Sequence, residues 1–143
     1  MQAQIQAFIQ GLPYAAIYGL SAIALLLLGT VVYVILTPHK ELKLLRSGNS
    51  SAGLALAGTV IGLALPLAAA LRSSLGLVEL LCWGFVTLLV QLLCFRFVDL
   101  LLHDLRKRIA EDQAGAAIML VGVNIAVALI VAAAVSDPNI RLS

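Results

Sequence analysis

Charge is what this chain of 143 residues has least of: 9 Lys and Arg and 7 Asp and Glu, 11% of the whole. No charged side chain precedes Lys40, none lies between Arg46 and Arg72, none between Glu79 and Arg96, and none between Asp112 and Asp137. A soluble domain spreads its charges over a solvated face, and a mean hydropathy of +1.09 leaves no such face. The net charge of +2 is too small to call for nucleic acid. Cysteine is nearly absent. Cys82 and Cys94 share one apolar run, about 18 Å apart along a helix, too far to bridge within one chain, and read as small apolar side chains. Also missing are a Gly-rich phosphate loop, paired carboxylates within one apolar run, and a Ser/His/Asp set on one membrane face, so no enzyme activity and no cofactor are expected. His39 and His103 have no Cys or carboxylate cluster at ligand spacing, so no metal site is expected either.

What is present is apolar sequence in lengths that match a bilayer. About 20 residues of helix cross roughly 30 Å of hydrocarbon. Four such runs occur, at about residues 14–36, 51–71, 75–98 and 114–135. Backbone in lipid must satisfy its own hydrogen bonds, and the runs lack the apolar/polar alternation of barrel strands, so they read as helices. The chain is therefore expected to be an all-α integral membrane protein, a single four-span domain over residues 1–143 whose partner is first of all the lipid bilayer. The first twelve residues place Ile5, Phe8, Ile9 and Leu12 on one side and Gln2, Gln6 and Gln10 on others, which predicts a short amphipathic surface helix. Pro13 is expected to turn the chain into the membrane. Without a basic leader, and with an apolar stretch that runs on through a full span, this end does not read as a cleavable signal.

Lys and Arg set orientation. Lys40, Lys43, Arg46, Arg96, Arg106, Lys107 and Arg108 flank one side, against Arg72 and Arg141 on the other. Seven against two places both connections in the cytoplasm and both termini outside. The chain also resembles itself at a shift of 64 residues: His39 falls on His103, Lys43 on Lys107, Gly58 on Gly122, and Ala68-Ala69-Ala70 on Ala132-Ala133-Ala134. Two tandem span–elbow–span units follow, at about 14–74 and 75–138, related by a pseudo-twofold axis along the membrane normal. In the first elbow Thr37-Pro38 predicts a helix start, Gly48 a stop, and Asn49, Ser50 or Ser51 the cap of the next helix. In the second, Val98, Leu102, Leu105 and Ile109 keep helical spacing, so span three is expected to continue unbroken to about Asp112, with Asp104 pairing to Arg108.

Small residues let membrane helices approach closely. Gly58 and Gly62 form a GxxxG row in span two, and Gly115, Gly122 and Ala126 a related row in span four. Either row could pack inside the bundle or between protomers of a homo-oligomer. Three polar side chains lie within the spans. Glu79 is about one turn inside the membrane, where an interfacial anchor paired with Arg72 and a polar pathway are both open readings. Gln91 and Asn124 suit interhelical hydrogen bonds or a pore lining. The hydroxyls of Ser21, Thr30, Thr59 and Thr87 are expected to bond back to their own helices.

The stretch 37–52, TPHKELKLLRSGNSSA, resembles the YjfL-like bacterial inner-membrane family known as domain of unknown function 350. The likeness continues through 58–67, Trp83-Gly84, Gln91-Leu92, Asp112-Gln113-Ala114-Gly115 and Asn124. It covers about residues 17–134. It implies four spans in paired units and a bacterial cytoplasmic membrane, and it supplies no activity. Some members are grouped with envelope-stress proteins, which implies a cytosolic partner of that kind. Gln113 departs from an Asn common in the family. The expectation is a non-enzymatic oligomeric membrane module that offers Lys40, Lys43, Arg46, Arg106, Lys107 and Arg108 to a cytosolic partner. The alternative is a small channel or transporter using Glu79, Gln91 and Asn124.

Overall fold

The computed structural model describes residues 2–36, 41–73 and 76–137. They form six helices and, among the described residues, no strand: α1 (Gln2–Leu36), α2 (Glu41–Arg46), α3 (Ser50–Arg72), α4 (Leu77–Leu102), α5 (Leu105–Ala110) and α6 (Ala114–Ser136). The helices α1, α3, α4 and α6 are long and apolar enough to cross a membrane, at the four places the apolar runs predict. The short helices α2 and α5 occupy the two connections read above as elbows. Thr37-Pro38, His39 and Lys40 lie outside the described residues, as do Leu75 at the expected start of span three and Arg141.

The helix α3 is the centre of the molecule, packing most extensively on α6 and also on α4 and α1. Small residues make this possible. A methyl group added at Gly58 would stand 2.6 Å from Val121 Cγ2 and 3.0 Å from Val121 Cα, so the α3 and α6 backbones approach as only glycine allows. Near the elbows, Tyr33, Ala52, Ala55, Phe95, Val98, Leu105, Ile109, Ala116 and Leu120 form a buried cluster. Within it the Tyr33 and Phe95 rings meet edge to face at 6.3 Å. A second cluster at the other end joins Ala22, Leu67, Ala69, Ala70, Leu80 and Val135.

Two sequence expectations need correction. The separate surface helix before Pro13 is not an element of its own, because α1 runs through Pro13 without interruption. Proline there leaves only the Ile9 carbonyl without its helical donor, and Ala15 and Ala16, strong helix formers, carry the helix on. Ile5, Phe8, Ile9 and Leu12 are all exposed. Span three, in turn, does not continue to Asp112. It stops at Leu102, and His103 and Asp104 take positive φ values of 46° and 56°. The break lets Leu105 and Ile109 fold back into the core, where both are fully buried. The Asp99 carboxylate accepts the Leu105 N–H at 3.1 Å and steadies the turn. Arg108 reaches the His103 carbonyl at 3.3 Å, where a bond to Asp104 was expected.

Both elbows end in the same way. At the first, Asn49 N–H donates to the Leu44 carbonyl and Gly48 N–H to that of Leu45, with Gly48 at φ 87°. At the second, Gln113 N–H donates to Arg108 and Asp112 N–H to Ile109, with Asp112 at φ 60°. This is the Schellman closure, in which one residue takes a left-handed conformation. Glycine adopts it freely, whereas aspartate does so under mild strain. The helices α5 and α6 begin and end 64 residues after α2 and α3.

Candidate functional site

The strain at Asp112 has a compensation. Its carboxylate accepts the Ser51 N–H at 2.7 Å and the Ser50 hydroxyl at 2.9 Å, at the start of α3. These donors, the Ser51 N–H foremost, hold its pKa below the ordinary carboxylate range. Asn49 completes the exchange. Its side-chain oxygen caps α3 by accepting the Ala52 N–H at 2.7 Å, and its amide donates to the carbonyls of Ile109 and Ala110 at the end of α5. Each elbow thus finishes a helix end belonging to the other, and the two are tied into one surface.

That surface carries charges of both signs, with Asp104, Glu111 and Asp112 exposed on it. Lys43, Arg46, Arg106, Lys107 and Arg108 are all exposed. The single ion pair among the described residues, Lys107 to Glu111 at 4.0 Å, is itself exposed and contributes little. Five cations therefore project from two elbows held at a fixed spacing. Gln113, at the N-cap of α6, makes no side-chain cap and donates instead to Glu111 at 3.1 Å.

A second group of polar atoms lies mid-bundle. Gln91, Asn124, Thr59 and Thr87 are buried among apolar residues of α3, α4 and α6. Thr59, Thr87, Ser21 and Thr30 bond back to carbonyls of their own helices, as the sequence predicts. The Asn124 amide reaches the Thr59 oxygen at 3.4 Å, a weak interhelical bond. Asn124 Oδ1 and both amide atoms of Gln91 have no hydrogen-bond partner among the described residues. Gln91 lies directly against Gly62, where an added methyl would fall 2.5 to 2.8 Å from its amide group.

Of the two glycine rows, Gly58 and Gly62 face into the bundle, while Gly115, Gly122 and Ala126 are exposed, and neither glycine of that row has anything close enough to meet a methyl. Glu79 is half-buried in the first turn of α4, where a carboxylate complements the helix dipole, and no ion pair joins it to Arg72. Among the described residues no group of three metal-ligating side chains occurs. The structure brings together Gly62 with Gln91, and Thr59 with Asn124; Glu79 stands apart at the far end of α4. Sequence reasoning identified Asn49, Ser50 and Ser51 as capping candidates for α3 but missed Asp112 as their partner. Its signal was faint: a non-glycine residue where the repeat places Gly48.

The family described as Domain of Unknown Function (DUF350) matches residues 7–135. Two curated relatives, each described as UPF0719 inner membrane protein YjfL, come from Escherichia coli strain K12 and Escherichia coli O157:H7. Each is 30% identical over 71 residues, which is 50% of this chain and 54% of the relative. The chain thus spans about half the length of the curated relatives it matches. No solved structure matches.

Proposed function

The chain belongs to the DUF350 family, and on that premise we propose that it is a non-enzymatic module of the bacterial inner membrane that docks an acidic cytosolic protein on its elbow surface. The reading rests on one observation: Asn49 and Asp112 lock the elbows together, so that five exposed cations form a fixed array. Cations gathered on tied elbows favour a partner of complementary charge and speed its encounter. The excess of Lys and Arg at the elbows supports a cytoplasmic placement, with both termini outside. The matching bounds of α2 with α5, and of α3 with α6, support two tandem units. The outward row of Gly115, Gly122 and Ala126 supports a homo-oligomer, since it leaves room for a second helix. An envelope-stress protein is the kind of partner the family resemblance suggests.

The test is capture from bacterial membranes after cross-linking. Neutralising Arg106, Lys107 and Arg108 to Gln, which still leaves Lys40, Lys43, Arg46 and Arg96 against Arg72 and Arg141, should sharply reduce recovery of the partner while leaving insertion unchanged. Recovery equal to that of the native chain would defeat the proposal. A reporter fused after Ser143 should read as periplasmic.

One observation favours a second reading, a small channel or transporter. Buried polar atoms without partners cost about 1–3 kcal/mol each, and Gln91 and Asn124 carry three such atoms. A passing polar solute or water would satisfy them. Solute flux in reconstituted vesicles that falls on Gln91→Leu would favour this reading; tight vesicles would favour docking.

A further inference from the structure

Among the described residues, three apolar grooves flank α1. One lies at the elbow end, between α1, α2 and α3, with a volume of about 180 Å³. It is lined by Thr30, Val31, Val34, Ile35, Leu42 and Leu56. The one polar side chain in it, Thr30, already donates to the Leu26 carbonyl at 2.7 Å, so the groove offers no directed hydrogen bond. It is narrower than the roughly 300 Å³ at the lower end of small-molecule sites, and suits a segment of flexible hydrocarbon. Its place between membrane-spanning helices, where bilayer is the solvent, makes an acyl chain its natural occupant.

The rim of the groove carries charge. Leu42 on α2 forms part of the lining, with Glu41 before it and Lys43 after it in the chain, and Arg46 stands one turn further along, on the Leu42 side of α2. Both cations are exposed, and neither makes an ion pair among the described residues. The other two grooves differ. The one between α1 and α4 is lined by Leu25, Leu28, Gly29, Val32 and residues of α4 with no charged side chain. The one at the opposite end, between α1 and α3, has only Arg72 beside its last lining residue, Leu71.

We propose that the α1–α2–α3 groove is a selective site for one anionic phospholipid, whose acyl chain lies along Val31, Val34, Ile35 and Leu56 and whose phosphate meets Lys43 and Arg46. Guanidinium and ammonium groups both bind phosphate, the former in a two-pronged fashion. A zwitterionic lipid would fill the same groove but gain less from the rim. The inference does not require protein docking; it shares Lys43 and Arg46 with that surface, in which the second elbow supplies the other three of the five cations.

The test uses the full chain in bilayer discs containing equal amounts of phosphatidylglycerol and phosphatidylcholine, with retained lipid counted by native mass spectrometry. A basic side chain near the surface favours anionic lipid by roughly fivefold. Lys43→Gln with Arg46→Gln should therefore cut the preference for phosphatidylglycerol by at least about tenfold. Arg106→Gln, Lys107→Gln and Arg108→Gln together should leave it unchanged. Val31→Trp, which fills the groove from an already exposed position, should displace both lipids without unfolding the bundle. Glycerol phosphate, a headgroup without chains, should not compete. Preference surviving the Lys43 and Arg46 changes, equal loss from the second-elbow changes, retention after Val31→Trp, or competition by glycerol phosphate would each overturn the proposal.

Discussion

Gly58 and Gly122 stand 64 residues apart in rows of similar make-up, yet they meet opposite surroundings. Gly58 is pressed on the Val121 backbone, and a turn later Gly62 accommodates the Gln91 amide. Gly122 faces outward with open space around it. The difference arises because α3 is the inner helix, touched by all three other long helices, whereas α6 packs mainly on α3. A small-residue row therefore marks a surface that a helix can approach closely, and the neighbour's identity comes from the whole packing arrangement.

The sharpest way to break this comparison is to add one methyl to each glycine. Gly58→Ala should lower stability by about 1–3 kcal/mol, because backbone at 3.0 Å cannot move aside as a side chain does. Gly122→Ala should stay within about 0.5 kcal/mol of native, or gain slightly through helix propensity. Thermal unfolding in detergent measures both, and equal losses would show that the two rows are alike. Next in size is Gln91→Met. Removing buried amide atoms that have no partner should stabilise the fold by about 1 kcal/mol. A loss instead would mean that the amide is hydrated in the membrane and would strengthen the transport reading.

Gly62→Ala should cost less than about 1 kcal/mol, since the group it meets is the far end of a side chain. Gln91→Ala in the same chain should remove that cost, and a double-mutant cycle without coupling would separate the two residues. The smallest effect concerns Asp112, in the part of the structure where the two halves are joined. Its pKa is depressed in the folded state, so its contribution is complete above about pH 4 and disappears as pH falls through the depressed value. The native chain and Asp112→Asn should differ by a constant amount from neutral pH to about 5, and converge in stronger acid. A difference that instead grows on acidification would remove the carboxylate from the account.

The four long helices were legible because absence of charge over a bilayer's width is a signal that tertiary packing cannot disguise. Their ends were legible to within a few residues where caps exist, as at Asn49. The break at His103 was not, because the run from Val98 to Ile109 keeps helical spacing across it. Two non-glycine residues with positive φ leave no mark in composition. The pairing of Asn49 with α5 and of Asp112 with α3 spans 60 and 61 residues, and no local pattern encodes it. The fate of Gln91 depended on which helix faces Gly62, which is likewise a matter of three-dimensional arrangement.

The exchange of helix ends between the elbows also bears on how the molecule is made. When the ribosome has delivered only α1 to α3, the amide of Ser51 still awaits an acceptor that lies 61 positions downstream. Synthesis of the later helices supplies that acceptor, so the start of α3 is completed only once translation has passed Asp112.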